Sequence, residues 1–509
     1  MTGLRLVRSS VIRTAHVLAA LCLMVMALGT AEACRGQAPP ASIAPIIDAL
    51  QHHDFDTALK LSQAILSSEP GNYTVWTLRG MASAGMGHAT QALAAYQHAL
   101  RLSPAYLPAM EGAAQTEFQL KRPETRELLQ KILAQRPDDP TTHLLLGMLD
   151  FNAGKCAEAV DHFTKAGRAL ATRPEALNEY GSCLAQLKRP DDAVAVFTSA
   201  LSLDPAQREA RYNLALAQWQ DNKADDALAT LQPLVESAPV SSDALALSAE
   251  ILEARRNTVQ AVALLRKAIL ADPKNIDAYL DFASLSFDHA SPQVGIDILN
   301  TGLTQLPNEA RLYLVRGILL TQLGEFTQAA QDFETASRIN PRVQFLGVAE
   351  GLVESQQHNS AEALAKFRAA VKLHPNDAYA HYLLAEALEG EGRHPGSAEY
   401  KEEVDAAAKA VSLDPHLVAA RDLLASIYIE NGQTGLAIQQ SRGALALDPR
   451  DQQAVYHLIV ALRKTDQKDQ ITGLLKRLME LRAAPADRQP GAKQYRLTVA
   501  KDAGGTANQ

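Results

Sequence analysis

The 509-residue sequence lacks both an excess of basic residues and any long run of charge of one sign. It holds 49 lysines and arginines against 57 aspartates and glutamates, a formal net charge of −8, and the two signs are interspersed. A surface that binds nucleic acid needs a basic patch or stripe to neutralise phosphates. The composition therefore argues against a nucleic-acid partner, and the modest acidic excess serves mainly to keep a long surface soluble.

The sequence also lacks the motifs of common catalytic and metal sites. H-E-x-x-H, the phosphate-binding G-x-x-x-x-G-K-[ST] and G-x-S-x-G are all absent. The adjacent His52 and His53 point to different sides of a helix, and His374, His381 and His394 match no metal-ligand spacing. We therefore predict no catalytic residue, no metal site and no cofactor, and we interpret these histidines as surface polar residues.

Aromatic residues make up only 5% of the chain, whereas hydrophobic residues, alanine foremost, reach 47%. Between about residues 140 and 375 one pattern returns every 34 positions. Small residues recur at Gly147, Gly181, Ala215, Ala249, Ala283, Gly317 and Gly351. Large residues recur at Phe163, Phe197, Leu231, Leu265, Leu299, Phe333 and Phe367. Self-similarity at this period is the signature of a stacked repeat array, not of one globular domain.

Each repeat unit reads as two helical runs of roughly 12–14 residues joined by a short turn. In the unit that begins at Pro174, the first run is ALNEYGSCLAQL and the second is DDAVAVFTSALSL, with KRP between them. Gly181 and Ala193 are small, which lets two antiparallel helices approach closely, and we expect Phe197 to fill the space beside that contact. Pro205 cannot continue the second helix, so the chain turns into the next hairpin.

The pattern resembles the tetratricopeptide repeat (TPR). The unit from Tyr73 shows the family's small, aromatic and proline positions at Trp76, Gly80, Ala92, Tyr96, Ala99 and Pro104. About a dozen consecutive units match in one register, from about Pro39 to Pro485. The resemblance implies an all-α fold, an α-solenoid in the form of a right-handed superhelix of about 12–13 helical hairpins. It further implies that the first helices of successive units line a concave groove.

The ends of the chain differ from the array. Residues 1–33 combine three arginines, a short apolar run and the small-residue end Ala31-Glu32-Ala33, which is typical of a secretory signal peptide. We predict a short leader over 34–41, the TPR-like array over 42–485 and a disordered tail over 486–509. Two alternatives stay open: a retained N-terminal anchor, and a lipid on Cys34 after cleavage before that cysteine. We therefore expect an exported bacterial TPR protein that resides in the periplasm or cell envelope. Whether it is attached to the outer membrane stays open.

Two internal features depart from the regular pattern. In the unit from Ala378, we predict a surface loop over 391–404, with the second helix resuming at about Asp405. Cys156 falls in the turn of one unit, and Cys183 falls in the first helix of the next. We expect two buried or half-buried free thiols, although an oxidising compartment would also permit a disulfide.

The register of the repeats selects candidate groove residues. Positions 2, 5, 6, 9, 12 and 13 of each unit would point into the groove. They include Asn178, Asn213, Trp219, Asp281, Phe287, Tyr382 and Tyr456. Amides and rings together suit a bound peptide or partner helix, although Trp219 and Phe287 could instead be core residues between units. The carboxylate-clamp type of TPR site is doubtful because its basic residues are missing, and Asp243 stands where a lysine is expected.

These features predict a non-catalytic protein-binding scaffold or adapter of the bacterial cell envelope, whose partners are proteins or peptides bound in the concave groove. The alternative is an accessory subunit, with or without a lipid on Cys34, for outer-membrane or exopolysaccharide assembly or secretion. Membrane contact is expected only through an uncleaved signal or a lipidated Cys34. A catalytic domain is not expected because the array leaves a tail of only about 25 residues. The sequence does not define the oligomeric state.

Overall fold

The computed structural model describes residues 43–343, 345–389, 396–465 and 468–483. Within these ranges the chain forms 26 α-helices and two short 3₁₀ segments, and no β-strand is present. No helix in this part of the chain combines the length and the apolar character that crossing a membrane requires. The predicted signal peptide, leader, Cys34 and tail over 486–509 lie outside the described residues. The predicted all-α array of helical hairpins is confirmed.

The helices belong to two compact units, divided between Val240 and Ser241. The N-terminal unit contains six hairpins, in which odd-numbered helices are first helices and even-numbered helices are second helices. They are α1 Ala44–Gln51, α2 Phe55–Ser68, α3 Tyr73–Gly85, α4 Ala89–Leu102, α5 Leu107–Gln119, α6 Thr125–Gln135, α7 Pro140–Asn152, α8 Cys156–Ala166, α9 Pro174–Gln186, α10 Pro190–Leu203, α11 Arg208–Gln220 and α12 Ala224–Glu236.

The C-terminal unit contains seven hairpins with the same alternation of first and second helices. They are α13 Ser242–Ala254, α14 Thr258–Ala271, α15 Ile276–Asp288, α16 Pro292–Gln305, α17 Ala310–Gln322, α18 Phe326–Ile339, α19 Leu346–Gln356, α20 Ser360–Leu373, α21 Ala378–Glu389, α22 Ala398–Leu413, α23 Val418–Glu430, α24 Thr434–Leu447, α25 Gln452–Leu462 and α26 Ile471–Ala483. Together the two units agree with the predicted 12–13 hairpins.

The close approach of the two helices in a hairpin follows from the repeated small residue. A methyl group added at Gly181 of α9 would lie 2.7–3.0 Å from ring atoms of Phe197 on α10, which is fully buried. A methyl group added at Gly147 would meet the ring of Phe163 at 2.8 Å in the same way. The ring therefore lies directly on the glycine backbone, as the spacing predicts, and any larger residue would push the helices apart.

The second helix of the irregular hairpin begins earlier than predicted. α22 starts at Ala398 and not at about Asp405, and it runs for 16 residues. The Ser397 side chain caps it by accepting a hydrogen bond of 3.1 Å from the backbone N–H of Tyr400, and Tyr400 itself is buried. This cap and the apolar contact stabilise the extra turns that the 34-residue register did not anticipate.

The expectation of two free thiols is wrong. Cys156, the first residue of α8, and Cys183 in the middle of α9 form a disulfide, with their Cα atoms 4.9 Å apart. Such a separation is within the range that disulfides require. Stacking of one hairpin on the next places the start of α8 over α9, and this juxtaposition is not visible in the linear spacing of the two cysteines. The disulfide links the α7–α8 hairpin to the α9–α10 hairpin.

Candidate functional site: the first-helix face

The register positions 2, 5, 6, 9, 12 and 13 of the first helices define a surface that we call the first-helix face. Residues three or four apart on a helix lie on one side of it, as Glu175 and Glu179 do on α9. First helices of neighbouring hairpins contact each other inside each unit, for example α9 with α11 and α15 with α17. Equivalent positions of successive hairpins therefore form adjacent rows.

Two of the predicted groove residues meet on this face in the N-terminal unit. Asn178 on α9 and Asn213 on α11 are 4% and 1% exposed. The Nδ2 of Asn213 donates a hydrogen bond of 3.0 Å to the Oδ1 of Asn178. The Oδ1 of Asn213 is shielded from solvent and has no hydrogen-bond partner among the residues that the structure describes. The pair forms an amide bridge between α9 and α11 and leaves one buried acceptor unpaired.

An acidic residue beside this bridge was not singled out from the sequence. Glu179 on α9 is half-buried, and its Oε2 is shielded from solvent without a hydrogen-bond partner in the described ranges. Burial, with a smaller contribution from the charge of Glu175, raises the pKa of Glu179 to about 8. Burial also raises the pKa of Glu209 on α11. The register that selected Asn213 could have found Glu179, since both stand at position 6 of their units.

The predicted aromatic anchors have different environments. Trp219 on α11 and Phe287 on α15 are half-buried, so neither is a fully enclosed core residue. Tyr456 on α25 is 51% exposed. Tyr382 on α21 is buried in the core around α21, α22 and α23, and its hydroxyl donates a hydrogen bond of 3.1 Å to the Oε1 of Glu386. Tyr382 is therefore a core side chain on this face, whereas Tyr456 is accessible to a partner.

The remaining candidate, Asp281 on α15, is half-buried. The structure thus brings Asn178 and Asn213 into direct contact and places Trp219 farther along the same helix as Asn213. The other four candidates lie on three first helices of the C-terminal unit: Asp281 and Phe287 on α15, Tyr382 on α21 and Tyr456 on α25. The seven residues are distributed over the first-helix face of each unit and do not converge on one cluster.

A buried acid and histidine on the first helices of the last two complete hairpins were also missed. Asp422 on α23 is buried, and its Oδ1 lies 3.9 Å from the Nδ1 of His457 on α25. Burial, with smaller contributions from a hydrogen bond to Asp451 and the charge of that residue, raises the pKa of Asp422 to about 9. Burial lowers the pKa of His457. Neither residue belongs to a sequence motif, so the repeat pattern gave no reason to select it.

The histidines near the irregular hairpin are not all surface residues, as the sequence had suggested. His381 is buried, with its Nε2 3.1 Å from the carbonyl oxygen of Pro375, so the surface interpretation is wrong for this residue. His374 is half-buried, and His394 lies outside the described residues. In the part of the chain that the structure describes, no three histidine, cysteine or acidic side chains are grouped so that they could hold a metal ion.

Comparison with known families agrees with the geometry of the hairpins. Tetratricopeptide repeat models match residues 46–106, 144–208, 184–251, 310–343 and 348–411. These matches fall in both units. The chain belongs to the tetratricopeptide repeat proteins.

Individual relatives match parts of the chain. Protein FlbA of Caulobacter vibrioides is 28% identical over 214 residues, which is 40% of this chain and 34% of FlbA. Tetratricopeptide repeat protein 37 of Xenopus laevis is 29% identical over 85 residues, 17% of this chain and 5% of that protein. Superkiller complex protein 3 of Homo sapiens is 36% identical over 67 residues, 13% and 4%. The chain thus spans about a third of the first relative's length and much less of the others.

Solved structures are similar over a larger share of the chain but at low identity. The Cut9 and Hcn1 hetero-tetramer of APC/C aligns with 87% of this chain and 99% of the solved chain, at a TM-score of 0.40 and 14% identity. Yeast Tom70 aligns with 88% of this chain and 93% of its own, at a TM-score of 0.39 and 15% identity.

Proposed function

We propose that this protein is a non-catalytic adapter that binds segments of other proteins on its first-helix face. The repeat fold is itself the support for a protein-binding scaffold, because each hairpin contacts its neighbours and leaves an extended surface. The observation that carries the proposal is the half-buried or exposed state of Trp219, Phe287 and Tyr456. Aromatic side chains on an accessible helix face are the anchors that protein interfaces favour.

We place this adapter in the bacterial cell envelope. The proposal rests on residues 1–33, whose composition is typical of a secretory signal peptide. The disulfide between Cys156 and Cys183 supports it, since disulfides persist in oxidising compartments such as the periplasm. A lipid on Cys34 would make the protein an anchored accessory subunit of envelope assembly. Globomycin treatment of cells distinguishes the two forms, because it blocks maturation of the lipid-modified form alone.

Site-specific photo-crosslinking in intact cells tests the binding face. A photoreactive phenylalanine analogue replaces Tyr456 on the first helix α25, and in separate strains it replaces Trp219 and Phe287. The matched control carries the analogue at Val259, a residue of the second helix α14 that is 84% exposed. We expect protein adducts from the first-helix positions and few or none from Val259.

Two outcomes would contradict the proposal. If all three first-helix positions give no adduct, or if Val259 gives the same adducts as they do, then the first-helix face is not the binding surface. Circular dichroism of each purified variant checks that its helix content is unchanged, so that a missing adduct reports on binding and not on unfolding.

A further inference from the structure

One patch of the first-helix face is rich in hydrogen-bond acceptors that lack donors. The Oε2 of Glu179 on α9 and the Oδ1 of Asn213 on α11 are both shielded from solvent, and neither has a hydrogen-bond partner in the described part of the chain. The side chain of Asn213 is almost completely buried. A buried acceptor without a donor is unfavourable, and a ligand that supplies N–H groups would relieve it.

The same patch carries negative charge in two adjacent rows. Glu175 precedes Glu179 by four residues on α9, and Glu209 precedes Asn213 by four residues on α11, so each pair lies on one side of its helix. The hydrogen bond from Asn213 to Asn178 fixes the two helices beside each other. We call Glu175, Glu179, Glu209 and Asn213 the acceptor patch.

Electrostatics within the patch favour a cationic ligand. Burial and, to a smaller extent, the charge of the neighbouring Glu175 together raise the pKa of Glu179 to about 8. The free protein therefore holds a proton on this carboxyl near neutral pH. A bound cation with N–H donors would replace that proton, whereas a carboxylate ligand would meet like charges. The patch is thus unsuited to the C-terminal carboxylate of a peptide.

We propose that the acceptor patch binds an arginine side chain carried on an extended segment of a partner protein. A guanidinium group presents five N–H donors in a planar fork, so it can reach a carboxylate on one helix and an amide oxygen on the next. A lysine ammonium is a compact point charge and matches two acceptors on separate helices less well. This inference rests on the proposed function, since it names the chemistry of the segment that the adapter binds.

Fluorescence anisotropy with a defined peptide tests the inference on the full chain. The probe is a fluorescein-labelled hexapeptide of alternating glycine and arginine, amidated at its C-terminus. Its controls replace arginine by the neutral isostere citrulline, by lysine or by glutamate. We expect the arginine peptide to bind at least tenfold more tightly than the citrulline peptide, the lysine peptide to bind at an intermediate affinity, and the glutamate peptide to show no binding.

Two matched variants separate the patch from general charge attraction. Glu179→Gln keeps the shape of the side chain, and we expect it to weaken binding of the arginine peptide about 5–10-fold. Asp226→Asn makes the same carboxyl-to-amide change at an exposed position on the second helix α12, and we expect a change of less than twofold. Glu209→Gln provides a second patch variant if Glu179→Gln alters the helix content.

Any of four results would overturn the inference. Equal affinity for the arginine and citrulline peptides would show that charge is not recognised, and equal weakening by Glu179→Gln and Asp226→Asn would show that only net charge matters. A synthetic peptide of residues 484–509 that displaces the probe and binds tenfold more tightly than it does would assign the patch to the chain's own basic segment. Crosslinks at Tyr456 without arginine binding would leave the adapter function intact and reject this inference alone.

Discussion

The regular part of the array contains two kinds of hairpin, which differ in the pair of residues at the contact between their two helices. In α7–α10 and α17–α20 a glycine on the first helix lies against a phenylalanine ring on the second, whereas in α11–α16 an alanine and a leucine stand at these positions. The first kind comprises Gly147 with Phe163, Gly181 with Phe197, Gly317 with Phe333 and Gly351 with Phe367. The second kind comprises Ala215 with Leu231, Ala249 with Leu265 and Ala283 with Leu299.

The difference shows that the hairpin core conserves the combined volume of the two residues, not their identity. The alanines and leucines of the second kind are as completely buried as the phenylalanines of the first. A larger residue on one helix is always matched by a smaller one on the other across these seven hairpins. Protein interiors are packed to nearly crystalline density, so each pair must fill the same space without a cavity and without overlap.

The largest change in stability should follow from removing the disulfide, which is present in one group of glycine–phenylalanine hairpins, α7–α10, and not in the other, α17–α20. The α7–α10 hairpins are joined by the disulfide between Cys156 and Cys183, which have a sequence separation of 27. We expect the Cys156→Ser/Cys183→Ser double variant to lose about 2–4 kcal/mol of stability, because the unfolded chain regains the entropy of the open loop. Urea unfolding followed by circular dichroism measures the change.

A reductant provides the control for this comparison. Dithiothreitol should lower the urea midpoint of the native protein to that of the double serine variant and should leave the variant unchanged. Hydrogen exchange should rise in peptides from α7–α10, while peptides from α17–α20 keep their protection. If reduction leaves the midpoint of the native protein where it was, the disulfide does not contribute to the difference between the two groups.

The volume rule itself can be tested by converting one kind of hairpin into the other. Gly181→Ala places a methyl group against the Phe197 ring and should cost about 1–3 kcal/mol. Phe197→Leu alone should also destabilise the protein, because it leaves a cavity. The double variant recreates an alanine–leucine hairpin, so its loss should be smaller than the sum of the single losses by about 0.5–3 kcal/mol.

The reciprocal conversion serves as the matched control. Ala215→Gly with Leu231→Phe changes an alanine–leucine hairpin into a glycine–phenylalanine hairpin in the neighbouring repeat. We expect the same sign of coupling in both directions. Strictly additive losses in either cycle would mean that the matched pairs are an accident of this sequence and not a packing constraint.

One hairpin of the C-terminal unit has a buried acid at a position where other hairpins have a buried apolar residue. At register position 5, Leu280 and Leu314 are buried apolar residues, whereas the C-terminal unit has Asp422 at the same position of α23. The pKa of Asp422 is raised to about 9 from an ordinary value of 3.8, mainly by burial. Between about pH 4 and pH 9, therefore, the carboxyl of Asp422 is protonated in the folded protein and ionised in the unfolded chain. Its contribution to stability falls as the pH rises through this window.

Asp422→Asn should remove that pH dependence. The asparagine stays neutral, so the variant should equal the native protein near pH 4 and exceed its stability by about 1–3 kcal/mol near pH 9. Urea midpoints across this pH range and hydrogen exchange of peptides from α23–α26 provide the measurement. Asp469→Asn, at an exposed position in the same unit, is the control. A native protein as stable as the variant at pH 9 would contradict the raised pKa.

The 34-residue period of the sequence was enough to predict the structural features that depend on packing within one hairpin. Because each hairpin contacts mainly its neighbours, the 34-residue spacing predicts the helices, the turns and the contact of Gly181 with Phe197. The disulfide and the Asp422–His457 pair were not predictable in this way, since each joins residues of different hairpins whose relative placement depends on stacking. α22 began early because the cap at Ser397 is a local signal outside the repeat register.

The candidate binding surface was predicted less well than the fold. Register alone selects positions on a helix face, and two of the positions that it selected, Asn178 and Asn213, are hydrogen-bonded to each other. It does not say how deeply a side chain lies, so Tyr382 is in the core while Tyr456 is accessible. Depth depends on the sizes of neighbouring side chains and on the spacing of adjacent hairpins, neither of which a single position of the repeat contains.

The smallest expected effect concerns the turns, which both kinds of hairpin share. The residue at position 15 has a left-handed backbone in each kind: φ is +79° at Gly324 and +50° at Ala290. This conformation is strained for alanine and free for glycine, so Ala290→Gly should stabilise the C-terminal unit by about 0.5–1 kcal/mol. Ala263→Gly at an exposed position inside α14 should instead cost up to about 1 kcal/mol. Equal signs for the two substitutions would show that the turn does not require this backbone geometry, and that glycine at position 15 has no advantage over the alanine of the other hairpins.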